Sequence, residues 1–226
     1  IKEKISTISN KKNRLKLLFL YSIGANMVDF STGGHTVDFT KIMQNFLDFP
    51  SEGLAINDFK KLYKNYTKAN EIIFLSDNCG EIVIDNLIVK QMVEEGKIVY
   101  LGLKGAPIAN DCMIEDFQEA GLQNYASNLF AVSSAYGWNL HEVTTEFKKL
   151  LNNCDLLIVK GQSNFESTLN NLVRYPEKDF PPLYCVLRTK CEVITERLGV
   201  PLGSNIIKQM YPLKESEKTT LREIID

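Results

Sequence analysis

Early in the chain, apolar positions recur at spacings of three and four. Leu15, Leu18, Phe19 and Ile23 mark one side of a helix expected over Lys11 to Phe30. Asp58 to Ala69 repeats the rhythm, with Phe59, Leu62, Tyr63 and Tyr66 on one face and Asn57 as its cap. Near residue 70 the period changes. Short runs over Ile72–Ser76, Ile98–Leu103, Leu156–Val159 and Leu183–Leu187 are each followed by a turn and a helix-like stretch. They are mostly apolar rather than alternating, as in strands covered on both faces. Ile84, Leu87, Ile88 and Met92 form a helical stripe ended by Gly96, and Leu140, Val143, Phe147, Leu150 and Leu151 form another. Strands alternating with helices predict an α/β fold, a three-layer αβα sandwich with a mainly parallel sheet and a helical N-terminal portion. The expected division is a helical portion over 1–70, the αβα catalytic domain over 71–213 and a charged tail over 214–226. The pattern does not give the strand order.

Composition narrows the picture only modestly. The 226 residues are 44% apolar and 24% charged, an ordinary globular profile. Basic and acidic residues nearly cancel, at 26 against 28, so no field for nucleic acid is expected. The longest apolar run, Leu15–Ile23, falls short of the roughly 18 residues of a membrane span, and no membrane partner is expected. Five cysteines without a C-x-x-C pair argue against a disulfide framework and a thiolate zinc site. Cys154, Cys185 and Cys191 sit in or beside apolar runs and read as small hydrophobes. A cytoplasmic location follows as the expectation. The chain opens at Ile1 rather than methionine, and a preceding natural stretch is expected.

In open parallel sheets, ligands bind beyond the carboxyl ends of the strands. The first expected strand ends in Ser76-Asp77-Asn78-Cys79-Gly80-Glu81, and the second in Lys104-Gly105-Ala106-Pro107 with Asn110-Asp111 close behind. The third ends in Lys160-Gly161-Gln162-Ser163-Asn164 followed by Glu166, and the fourth in Arg188-Thr189-Lys190. Asp77, Asn78 and Asp111 offer two carboxylates and an amide carbonyl, hard oxygen donors suited to Mg²⁺ or Mn²⁺ rather than zinc. Lys104, Lys160 and Lys190 would bring positive charge to the same edge, as a phosphate requires. A cation facing lysines suits phosphoryl transfer, where charge spreads over equatorial oxygens. Gly80 and Gly161 fit turns at which backbone approaches a ligand closely. Each motif alone has a structural reading. Asp-Asn-x-Gly also serves as a capped strand-to-helix turn, Asn110-Asp111 as a helix cap, and a strand-end lysine as a solvated charge. Their recurrence on successive strand ends carries the argument.

Other chemistries lack their signatures. No P-loop and no G-x-G-x-x-G after a strand occurs. Cys79 stands where a D-x-D phosphatase needs its second aspartate, and without an evident base it reads as filler. His35 and His141 are far apart and receive no catalytic role.

Taken together, Asp77-Asn78-Cys79-Gly80-Glu81 with Asp85, Lys104-x-x-Pro107-x-x-Asn110-Asp111, Lys160-Gly161-Gln162-x-Asn164-x-Glu166 and Lys190-Cys191 resemble the DUF89 family of metal-dependent damage-control phosphatases. Ala25-Asn26-Met27-Val28-Asp29-Phe30 resembles that family's helical Asn-x-x-Asp element. The resemblance runs from about residue 20 to residue 210. Arg188-Thr189-Lys190-Cys191 carries its lysine one place earlier than the Arg-Thr-x-Lys of some members, and the Lys-Cys form looks like the stand-alone microbial subgroup. The resemblance implies hydrolysis of small sugar phosphates or damaged metabolites with a divalent cation (Mn²⁺, Mg²⁺, Co²⁺ or Ni²⁺). It also implies Asp77, Asn78 and Asp111 as metal ligands, with Lys160 and Lys190 on the phosphate. Asn26, Asp29, Glu81, Lys104, Asn164 and Glu166 are further candidates around the substrate. Attack by a metal-activated water is expected, with attack by Asp77 itself left open. Two alternatives are an S-adenosylmethionine-dependent carboxyl methyltransferase, which lacks its glycine-rich first turn, and a non-catalytic metal-binding protein of the same fold.

Overall fold

All four expected strands form, and they make the parallel centre of one sheet. The computed structural model describes residues 1–25 and 39–213. Its strands are β1 (Ile56–Asn57), β2 (Glu71–Leu75), β3 (Ile98–Leu103), β4 (Asn128–Ala131), β5 (Leu156–Lys160), β6 (Leu183–Arg188) and β7 (Asn205–Tyr211). The helices are α1 (Lys2–Ser6), α2 (Lys11–Ala25), α3 (Phe39–Asp48), α4 (Phe59–Lys68), α5 (Ile82–Glu94), α6 (Ile114–Glu119), α7 (Thr145–Leu151), α8 (Gln162–Arg174) and α9 (Glu192–Leu198). The sheet order is β1-β7-β6-β5-β2-β3-β4, parallel throughout except that β7 runs antiparallel to β6.

The apolar runs work by alternation within full burial. Ile72 and Phe74 of β2 pack with Leu156 and Ile158 of β5 and with Leu62, Ile88, Val89 and Met92 from α4 and α5. Ile73 and Leu75 turn the other way, to Leu157, Val159 and the α7 and α8 side chains Phe147, Phe165 and Leu169. Each face is thus roofed by helices, giving the three layers. The α2 helix joins the first face through Leu15, Leu18 and Phe19 and is pinned to α5, where Gln91 donates to the Lys11 carbonyl at 2.9 Å.

Several details differ from the sequence expectation. The strands β1, β4 and β7 had no clear signature, and β1 lies in the stretch expected to be helical. Leu140 and Val143 precede α7 instead of lying on it, because Thr144 caps the helix by accepting the Phe147 N–H at 3.1 Å. Asn57 ends β1, its side chain accepting the Phe59 N–H at 3.3 Å while Asp58 takes the capping position. Asn26 and Asp29 lie outside the described residues, as do His35 and the tail from Lys214.

The order of strands locates the site. From β2 the chain moves outward to β3 and β4, then returns to place β5 on the other side of β2. The crossover after β2 packs on one face and that after β5 on the other, so a crevice opens between their carboxyl ends. Asp77-Asn78 and Lys160-Gly161 emerge at that crevice.

Candidate active site

The loops after β2 and β3 meet as a short antiparallel bridge between Asn78 and Asp111. Cys112 N–H donates to the Asp77 carbonyl at 2.8 Å and Cys79 N–H to the Asn110 carbonyl at 3.0 Å. Asp77, Asn78 and Asp111 therefore stand together although Asn78 and Asp111 lie 33 positions apart in sequence. All three are buried, with 7–8% exposure. The loop that delivers Asp111 contains Ala109 at φ 45°, the one non-glycine positive φ among the described residues, and such strain is commonest at functional turns.

Beneath this bridge lies a buried ion network. Glu81 and Asp85 are four apart across the start of α5, a spacing that puts both carboxylates on one side. Lys160 ends β5 against them, its Nζ 2.5 Å from Glu81 Oε2 and 3.4 Å from Asp85 Oδ1. Ser22 of α2 and Ser76 each donate to Asp85 at 2.5 Å. Asn78 donates its amide to Glu81 at 2.8 Å and to Asp77 at 3.2 Å. Asn164 on α8 joins the ends of two strands, donating to the Ser76 and Lys160 carbonyls at 3.2 and 2.7 Å.

The expected lysines take different places. Lys160 is 1% exposed and spent on carboxylates rather than presented at the surface. Lys104 is also buried; it donates to the Ala135 and Gly137 carbonyls at 3.0 and 2.7 Å and stands 3.5 Å from Asp111 Oδ2. Only Lys190 is exposed, and its charge reaches both Asp77 and Asp111. Gln162 fixes that lysine's loop, accepting the Lys190 N–H at 3.0 Å while its amide touches Cys191 Sγ and the exposed Glu166. Gly161 at φ 86° makes the closest approach, since a Cβ there would lie 2.0 Å from Asp77 Oδ2. The sequence marked that glycine but not Ser22, Ser76 or the loop after β4. The spacing of Glu81 and Asp85 was the available signal for the network.

Electrostatically the site is a concentration of acid. Burial pushes the Asp77 carboxyl well above its ordinary range, with the Glu81 and Asp111 charges adding to the rise. Burial also raises Asp111 and Glu81, though Lys104 and Lys160 oppose it. For Lys160, burial alone would depress the ammonium pKa, but Asp85 and Glu81 hold it above the ordinary value. Burial lowers Lys104. Among the described residues, the buried charged side chains of the site are the carboxylates Asp77, Glu81, Asp85 and Asp111 and the ammonium groups of Lys104 and Lys160. Asp111 Oδ2 is buried without a hydrogen bond. A buried Asp111 oxygen with Lys104 at 3.5 Å, the neighbouring Asp77 carboxylate and the Asn78 amide together offer the oxygen donors that one hard divalent cation uses.

Comparison with known proteins places the chain in a family. The sequence profile of the damage-control phosphatase ARMT1-like domain matches residues 1–206, so the chain belongs to that family, DUF89. An uncharacterized protein of Methanocaldococcus jannaschii is 30% identical over 90% of the chain and 65% of its own length. A damage-control phosphatase of Pyrococcus horikoshii is 30% identical over 89% of the chain and 68% of its own length. One from Archaeoglobus fulgidus is 28% identical over 89% and 67% respectively. The crystal structure of a DUF89 protein of Pyrococcus horikoshii superposes with a TM-score of 0.74 at 27% identity, covering 86% of this chain and 65% of that one. The chain thus spans about two thirds of these relatives' lengths. Among the described residues, no helix is long and apolar enough to cross a membrane.

Proposed function

We propose that the chain is a divalent-metal-dependent phosphatase that hydrolyses small phosphorylated metabolites such as sugar phosphates or damaged phosphate esters. The observation carrying this reading is the meeting of Asp77, Asn78 and Asp111 at a buried Asp111 carboxylate oxygen whose near partner is Lys104 at 3.5 Å. These three residues would hold the cation. When bound, such a cation polarises a phosphoryl oxygen and lowers the pKa of a bound water. The exposed Lys190 ammonium neutralises the incoming phosphate, being the one site lysine not already committed inside. Lys160 and Glu81 act behind it: the ammonium fixes Glu81, which holds the Asn78 amide and so aims its carbonyl. Gly161 keeps the N-terminal end of α8 close to Asp77. The names of the relatives, damage-control phosphatases, support the same class of reaction.

The test is hydrolysis of p-nitrophenyl phosphate. Turnover is expected with Mn²⁺, Co²⁺, Ni²⁺ or Mg²⁺ and is abolished by EDTA. Asp77→Asn and Asp111→Asn should each lower kcat at least about 100-fold. Wild-type turnover by Asp77→Asn at saturating metal would contradict the proposal.

A further inference from the structure

The two loops that supply the oxygen donors also carry a second, softer set. Cys79 follows Asn78 and Cys112 follows Asp111; in the antiparallel bridge Cys79 stands opposite Asn110 and Cys112 opposite Asp77, and the two thiols flank the bridge. The Sγ atoms of Cys79 and Cys112 and a carboxylate oxygen of Asp116 all lie within 4.8 Å of one another. Asp116 is set by the first turn of α6, where its Oδ2 accepts the Met113 N–H at 2.9 Å and the Cys79 thiol at 3.3 Å. Cys112 is buried while Cys79 and Asp116 are half-buried, which closes the cluster on one side and leaves an approach on the other. The five cysteines are free. Around a tetrahedral ion with Zn–S near 2.3 Å, such donors stand about 3.5–3.8 Å apart, so a shift of about 1 Å completes the set.

We infer that Cys79, Cys112 and Asp116 form a second cation site, distinct from the Asp77, Asn78 and Asp111 set and selective for a thiophilic divalent ion such as Zn²⁺. Thiolate sulfur favours zinc and cobalt, whereas the oxygen set favours hard cations, so the two sites sort metals by ligand chemistry. On binding, each thiol releases its proton to solvent as its metal–sulfur bond forms, and a water completes the coordination. The ion ties the β2 loop to the start of α6 and holds the Asn78–Asp111 bridge closed from behind. Sequence spacing concealed this site because its members come from positions 79, 112 and 116, without the close cysteine pairs of structural zinc motifs.

The experiment is titration of the reduced, full chain with Co²⁺, read as thiolate-to-cobalt charge-transfer absorption. The band should saturate at a single bound ion and disappear on adding Zn²⁺. It should be lost in Cys79→Ser and in Cys112→Ser, be weakened in Asp116→Asn, and persist in Asp77→Asn. Its absence from the folded wild type, or its survival in both serine variants, would overturn the inference. If the serine variants fail to fold, native alkylation of the wild type decides. Zn²⁺ should then slow labelling of Cys79 and leave Cys154 and Cys191 unchanged, and equal labelling with and without Zn²⁺ overturns the site. An inactive chain that still shows the band would contradict the phosphatase reading and leave this one standing.

Discussion

Gly161 shows how closely single residues are fitted here. Its φ of 86° costs a side-chain-bearing residue about 1–2 kcal/mol, and a Cβ would sit 2.0 Å from Asp77 Oδ2. Gly161→Ala should therefore displace the Asp77 carboxylate and lower kcat at least about tenfold, measured with p-nitrophenyl phosphate. Lys160 makes the complementary point. Lys160→Met removes the ammonium that Glu81 and Asp85 both face and should cost about 3–5 kcal/mol in urea unfolding, because two buried carboxylates lose that partner. A loss under about 1 kcal/mol would show the pair to be solvated. At this scale the sequence was partly legible. Asp77, Asn78 and Asp111 stand out because acids and amides recur on successive strand ends, although each motif alone also reads as a turn or helix cap. The burial of Lys160 was hidden, since a strand-end lysine is ordinarily solvated and its partners arrive 79 and 75 residues away.

The elements matter through the joints between them. The tie from α2 to α5 runs through Ser22, whose hydroxyl fills one side of Asp85. Removing it in Ser22→Ala should lower unfolding stability by about 1.5–3 kcal/mol, the usual range for a buried hydrogen bond to a charge, and a change near zero would show the contact idle. The strands β2, β3, β5 and β6 were readable because burial on both faces leaves continuous apolar runs. By contrast β4 is four residues long and mostly half-buried, β7 is interrupted by Lys208 and Gln209, and β1 has two residues. A short or edge strand needs less apolar sequence and so leaves a weaker trace. The antiparallel β7 followed no helix-strand rhythm and could come only from the fold itself.

For the whole molecule, burial of neutral groups limits stability at high pH. Burial pushes the Cys185 thiol from its ordinary 9.0 up to about 12, and the Tyr184 phenol from 10.0 up to about 12. Between those values the unfolded chain loses protons that the native state keeps. Stability from these groups is full below about pH 9 and declines as pH rises toward 12. The urea midpoint should fall across that range, and less steeply in Cys185→Ala; a flat profile would contradict the buried-thiol account. The same logic of burial underlies the site, where four enclosed carboxylates face two enclosed lysines. On the proposed reading, a divalent cation would sit on the Asp77, Asn78 and Asp111 oxygens of that set. The most direct test is binding of Mn²⁺ followed by electron paramagnetic resonance, without substrate, in the wild type and in Asp111→Asn. The account predicts one tightly held ion in the wild type and its loss in the variant, with Cys79→Ser retaining it; equal Mn²⁺ affinity in wild type and Asp111→Asn would contradict it.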